Sequence, residues 1–215
     1  PSKFNGKKIL IKGTLLVNNP GGIRFLGCEV IMGPLAEIRV VNSNLDITQT
    51  YIHGCADSIW KGIYVESDSI TIDEGSVIED AMEAVVMSPT GMASHIQTSN
   101  TTYTNNIYGI VCHAGTDPNS KISRTIFTND KKLFINPDNV DSSFTGIYID
   151  NVYDLTIGVP LAGNQNYFDH LQYGIVAIRS VVEVYNNHFK NIRHYHSNAI
   201  NPNYNVALNS ACVYG

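Results

Sequence analysis

The sequence predicts an all-β chain, a single right-handed parallel β-helix built from three short strands per coil. Three observations carry that prediction. A motif of one small residue, a buried-type aliphatic, an outward residue and a second aliphatic recurs along the chain. Its Gly or Ala falls at positions 62, 84, 109, 146, 174 and 211. Self-similarity at a spacing in the twenties marks a solenoid, in which each repeat buries its apolar face only against its neighbours. Short β-branched runs alternate with Gly, Asn, Asp and Ser, a strand-and-turn pattern that no helix would survive. Finally, only 15% of the 215 residues are charged, against roughly 25% in ordinary soluble domains. Polar turn residues make up the difference.

The elements follow in order. Lys8–Leu16 opens the stack, and Ile23–Leu26 with Cys28–Met32 forms the next coil. Glu37–Val40, Leu45–Thr48 and Thr50–Ile52 are the first, second and third strands of the coil after it. Trp60–Val65 contains the clearest first strand, followed by Ile70–Ile72 and Ser76–Ile78. The motif returns at Glu83–Met87, Tyr108–Cys112, Thr145–Ile149, Tyr173–Ala177 and Ser210–Tyr214. Between these copies, the second strands are His95–Thr98, Ile122–Arg124, Asp154–Ile157 and Val182–Tyr185. The third strands are Thr101–Tyr103, Thr125–Phe127, Asn166–Phe168 and Asn187–Phe189. The whole chain reads as one domain of roughly seven coils. Its two longest steps hold Pro- and Asn-bearing insertions near 130–143 and 194–209. Long loops on one side of a solenoid often form its binding face.

Strand alternation assigns faces. Ile38, Ile63, Val85, Ile110, Ile147 and Ile175 should point inward and lie above one another. Arg39, Tyr64, Val86, Val111, Tyr148, Val176 and Val213 should point outward, beside Glu37 and the small residues Gly62, Ala84, Gly109, Gly146, Gly174 and Ala211. Such an apolar outer column needs cover or a purpose. The two insertions folding back over it would supply cover. Alternatively, Tyr64 and Tyr148 would form a platform that stacks on sugar rings or a partner chain, with the small residues leaving a shallow groove.

The runs Ile11–Val17, Leu26-Gly27-Cys28, Met32-Gly33-Pro34, Trp60-Lys61-Gly62-Ile63 and Ile78-Glu79-Asp80-Ala81 resemble secreted β-helix-repeat proteins of the pectin-lyase-like class. They are most similar to large bacterial surface proteins exported by the type IX route. The resemblance implies a secreted or cell-surface chain, followed by further polypeptide that includes a C-terminal sorting domain. The stop at Tyr214-Gly215 falls midway through a coil and points the same way, because an open coil end exposes unpaired strand edges.

The residues do not assemble an obvious catalytic set. Carbohydrate-cleaving enzymes resembling this fold carry acids, bases or calcium ligands on the outer first-strand face. General acid–base chemistry needs titratable groups within reach of one another, and that column offers only Glu37 and Arg39. Asp169-His170 and His188 fall on neighbouring coils, as acid/base candidates or as solvated turn residues. Asp57, Asp68, Asp73, Glu74, Glu79 and Asp80 cluster in turns. Calcium takes oxygen ligands from such clusters, but without Asp-x-Asp-x-Asp-Gly spacing they read as a solvated acidic edge, and no cofactor is expected. His194-Tyr195-His196 lacks a third ligand. Trp60 is expected to pack at a coil corner. Cys28, Cys55, Cys112 and Cys212 form no CxxC, and only Cys28 with Cys55 is a candidate disulfide.

Net charge is −5, from 14 basic and 19 acidic residues, with no basic stripe of the kind that binds nucleic acid. No apolar run approaches the ~18 residues of a membrane-spanning helix. The expected function is a non-catalytic extracellular structural or adhesive segment that presents loops and a sheet face to a glycan, surface or partner protein. The alternative is a polysaccharide lyase or glycoside hydrolase. Its site would lie in the loops around Asp138, Asp141, His194 and His196, or outside this segment.

Overall fold

The computed structural model describes residues 2–56, 58–129, 145–161 and 163–192, together with the strands Val206–Asn209 and Cys212–Tyr214. It is a right-handed parallel β-helix with three sheets, and no helix occurs among the described residues. The first sheet has 8 strands and contains Thr14–Val17, Glu37–Val40, Trp60–Val65, Ala81–Met87, Tyr108–Cys112, Thr145–Asp150, Tyr173–Ile178 and Val206–Asn209. The second has 9 strands, running from Ser2–Asn5 through Asp68–Asp73 to Cys212–Tyr214. The third has 8, from Lys8–Ile11 to Asn187–Lys190. Each strand inside a sheet pairs in parallel with the one a coil below and the one a coil above, which is how a solenoid satisfies its backbone without hairpins.

The inward column holds as expected. Ile38, Ile63, Val85, Ile110, Ile147 and Ile175 are Cα partners in unbroken succession. All six are completely buried. Ile47, Ile72, Thr98, Ile122 and Ile157 form the equivalent buried column in the second sheet, each the Cα partner of the next. Burial of aliphatic side chains, at about 1.5–3 kcal/mol each, is the main source of cohesion.

The third sheet changes its interior filling partway up. Val30, Ile52 and Ile78 occupy its inward column in the lower coils, then Tyr103, Phe127, Phe168 and Phe189 take over. The four rings stack almost flat at centroid separations of 5.1, 4.9 and 4.8 Å. That spacing is the coil repeat itself, so parallel pairing imposes the stack.

Corners are closed by residues in the left-handed region. Asn42, Asn100, Asn105, Asn151, Asn186 and Asn191 have φ between 49° and 59°. Asn tolerates that conformation better than other residues with a side chain. Hydroxyls and amides bind the corner backbones between coils. The Thr50 hydroxyl accepts from the Cys28 N–H at 3.2 Å and donates to the Thr48 carbonyl at 2.9 Å. Asn166 accepts from the Thr125 N–H at 2.9 Å and donates to the Ile122 carbonyl at 3.0 Å. Trp60 is completely buried at a corner, where its indole N–H donates to the Glu79 carbonyl at 2.7 Å.

One expectation needs correction. Cys212–Tyr214 is not a copy of the first strand: it pairs with Val181–Val184 in the second sheet, and Val206–Asn209 takes the first-sheet place above Tyr173–Ile178. Short strands of alternating aliphatic residues also build the second and third sheets, so a small residue before an aliphatic does not by itself identify the column. The second insertion is correspondingly shorter than 194–209. Cys28 and Cys55 are not bridged: Cys28 is a buried free thiol and Cys55 an exposed one.

Candidate functional site

The outer face of the first sheet is built differently from the alternation rule. Between Trp60–Val65 and Ala81–Met87 the register shifts, with Gly62 opposite Glu83 and Ile63 opposite Val85. Ala84 is therefore an extra residue, a β-bulge. The coils above keep it: Tyr108 pairs with Thr145, then Ile110 with Ile147, leaving Gly109 and Gly146 in the bulge place. These small residues do not flank an outer groove. A Cβ on Gly109 would lie 2.7 Å from the Phe127 ring, and one on Gly146 would lie 2.7 Å from the Phe168 ring. They face the interior. The residue before each of them is thereby turned outward, which puts Glu83, Tyr108, Thr145 and Tyr173 on the outer face.

Tyr64 and Tyr148 both stand on this face, half-buried, as the sequence predicts. They are three coils apart, about 14 Å, with buried Val86 and Val111 between them. Tyr148 is joined edge-on by Tyr108, with ring centroids 5.9 Å apart. Tyr173 stands one coil above Thr145 and is also half-buried. Tyr108 and Tyr173 are the aromatic residues that alternation misses. The Tyr-Gly-Ile order in both copies is the signal, once the Gly is recognised as a bulge. The insertion expected to cover this face, with Asp138 and Asp141, lies outside the described residues, as do Asp57, His194 and His196. Of Val213 only the strand is described.

Below the tyrosines the face carries charge. Glu37 accepts from Lys61 Nζ at 3.0 Å and from the Thr14 hydroxyl at 3.1 Å, and lies 3.8 Å from Arg39. Arg39 also pairs with Glu66. The Lys61 hydrogen bond, with Thr14 and the two cations, holds the Glu37 carboxyl below the usual carboxylate range. The Tyr64 hydroxyl donates to Glu83 at 3.0 Å. Burial, then the Glu83 charge, pushes the Tyr64 phenol up. This face therefore has more titratable groups than Glu37 and Arg39, because Lys61, Glu66 and Glu83 join them. They are engaged with one another as ion pairs and hydrogen bonds.

At the upper corner Asp150 and Arg179 form a fork: Arg179 Nη2 lies 2.7 and 2.9 Å from the two carboxylate oxygens, and Nε 3.2 Å from Oδ1. Tyr148 lies two residues before Asp150 on the same strand, and its phenol is pushed up by burial first and by the Asp150 charge second.

The remaining candidates do not converge. His170 Nδ1 sits 3.0 Å from Asp169, and Asn191 donates to that same carboxylate at 2.9 Å. His188 instead packs beside Tyr167, 5.6 Å between ring centroids. Asp68 and Asp73 occupy opposite ends of one strand. Glu79 and Asp80 are buried at a different corner, where Glu79 accepts from Tyr51 and from Asn105. Among the described residues no three His, Cys, Asp or Glu side chains are placed to hold a metal ion, and no helix is long and apolar enough to cross a membrane.

Compared with known proteins, the chain matches no family model, no curated protein and no solved structure.

Proposed function

We propose that the chain is a non-catalytic extracellular structural or adhesive β-helix segment that presents its first-sheet face to a glycan, surface or partner protein. The observation that carries this reading is the bulge column. It turns Tyr108 and Tyr173 outward beside Tyr148, giving three half-buried tyrosines on three successive coils. Rings held this way lose little freedom on binding and offer flat apolar area with a polar tip. The charged residues lower on the same face are committed to pairs that fix its shape. On this reading the segment stands with secreted pectin-lyase-like β-helices, at the cell surface or beyond it, in the manner of type IX cargo.

The test is binding of the purified chain to immobilised polysaccharides and surface proteins. Saturable binding is expected, without cleavage of the polysaccharide. Alanine at Tyr108 and Tyr148 together should weaken it about two- to tenfold, the worth of one or two stacking contacts. Turnover of a polysaccharide, abolished by one carboxylate substitution, would replace the binding segment by an enzyme.

A further inference from the structure

A recess of about 250 Å³ opens at the corner between the first and second sheets, lined by Ser88, Pro89, Gly91, His113, Ala114, Asp150, Asn151 and Arg179. These residues come from four successive coils, so the recess runs along the solenoid axis for about 14 Å. It is smaller than the roughly 300–1,000 Å³ of enclosed drug-sized sites, and it is open to solvent. Pro89 and Ala114 give its lining an apolar part. The Asp150–Arg179 fork lines it too, and Tyr148 lies two residues before Asp150 on the same strand.

The geometry points to a subsite for a neutral sugar ring bearing vicinal hydroxyls. This inference rests on the glycan-binding form of the proposed function and assigns that ligand a place and a chemistry. A fork of this kind sets carboxylate acceptors beside guanidinium donors. Two neighbouring hydroxyls match it, one donating to Asp150 and one accepting from Arg179. The Arg179 side chain is 67% exposed and Asp150 25% exposed, so the guanidinium retains donors for a ligand while the pair holds its orientation. His113 also lines the recess. The C–H face of the sugar would rest on Pro89 and Ala114 or continue onto Tyr148. Charge decides against an acidic ligand. Asp150 already neutralises Arg179, and a uronate carboxylate entering the recess would meet the Asp150 charge at close range.

The test uses calorimetric titration of the purified chain with mannotetraose, galactotetraose and tetragalacturonate. A neutral tetrasaccharide is expected to bind at least tenfold tighter than tetragalacturonate. Arg179→Ala and Asp150→Asn should each weaken it tenfold or more. Lys8→Ala, on an exposed third-sheet strand away from the recess, should leave it unchanged, and the thermal midpoint of every variant reports whether it folds. Because both fork residues are at the surface, Arg179→Lys serves as a second variant: it keeps the charge, loses the fork and should also lose binding. Tighter binding of tetragalacturonate, or neutral binding indifferent to all three fork variants, overturns the subsite. If the chain binds a surface protein through Tyr108 and Tyr148 but none of these sugars, the subsite falls and the broader adhesive reading stands.

Discussion

Gly109 and Phe127 share one coil, and a Cβ on the glycine would lie 2.7 Å from Cδ1 of the ring and 2.5 Å from the carbonyl oxygen of Gly146. The pairing of a bulge glycine with an interior ring repeats at Gly146 and Phe168. One coil lower, Ala84 and Tyr103 hold the corresponding places in the first and third sheets. The aromatic stack and the outward tyrosines are therefore two results of the same extra residue.

Gly109→Ala should destabilise the chain by about 1–3 kcal/mol, the usual cost of overpacking. Adding Phe127→Leu should recover part of that loss but not all of it, because the Gly146 carbonyl also blocks the new methyl. Chemical denaturation of the two single variants and the double variant measures the coupling. Strict additivity would show that the ring and the glycine do not compete for space.

Ile147→Asp should cost about 4 kcal/mol or more. It places an unpaired carboxylate among Ile110, Ile175 and the rest of a fully buried column. An unchanged thermal midpoint would refute the inward assignment on which the fold rests.

Thr50→Val keeps the side-chain volume and removes the hydroxyl that serves Cys28 and Thr48. The Cys28 N–H and the Thr48 carbonyl then lose a partner at a buried corner. A loss of about 1–3 kcal/mol is expected, and hydrogen exchange at Cys28 should accelerate more than at Ile147.

Acid should weaken the fold, and Glu37 is one identifiable cause. Its folded carboxyl is held below its unfolded value of 4.5, first by the Lys61 hydrogen bond. A depressed carboxylate stabilises fully above the unfolded value and loses that contribution as pH falls through the folded one. Glu37→Gln should therefore flatten the stability profile below about pH 5. Equal slopes in both proteins would remove Glu37 from the account.

Thiol labelling separates three cysteines. Burial pushes the Cys112 thiol up to about 12, and Cys28 is buried, whereas Cys55 is exposed. Under native conditions iodoacetamide should modify Cys55 and spare Cys28 and Cys112, as peptide mapping would show. Modification of Cys112 at the same rate as Cys55 would mean that its coil opens readily.

The fold was legible because its signal is redundant. Each of Ile38, Ile63, Val85, Ile110, Ile147 and Ile175 predicts the place of the next, so an error in one coil is corrected by its neighbours. The face was less legible. Strict alternation puts Gly109 and Gly146 outside, and only the contact with Phe127 and Phe168, residues from another sheet, reverses them. Tyr108 and Tyr173 were hidden for the same reason. Asp150 and Arg179 escaped because an ion pair between residues 29 positions apart has no local pattern. Cys212–Tyr214 misled because the motif describes any parallel strand, and register alone decides its sheet.

The register shift at Glu83–Val85 divides the solenoid into two incompatible lattices. Below it the third-sheet column is aliphatic and the first strand has no extra residue. Above it each coil needs both a ring and a residue without a bulky side chain. Unequal recombination that duplicates a coil should be tolerated on either side of this seam, where donor and acceptor share one cross-section. A coil copied across the seam would carry one half of the pair without the other, so the repeat could lengthen by whole units only within its own half.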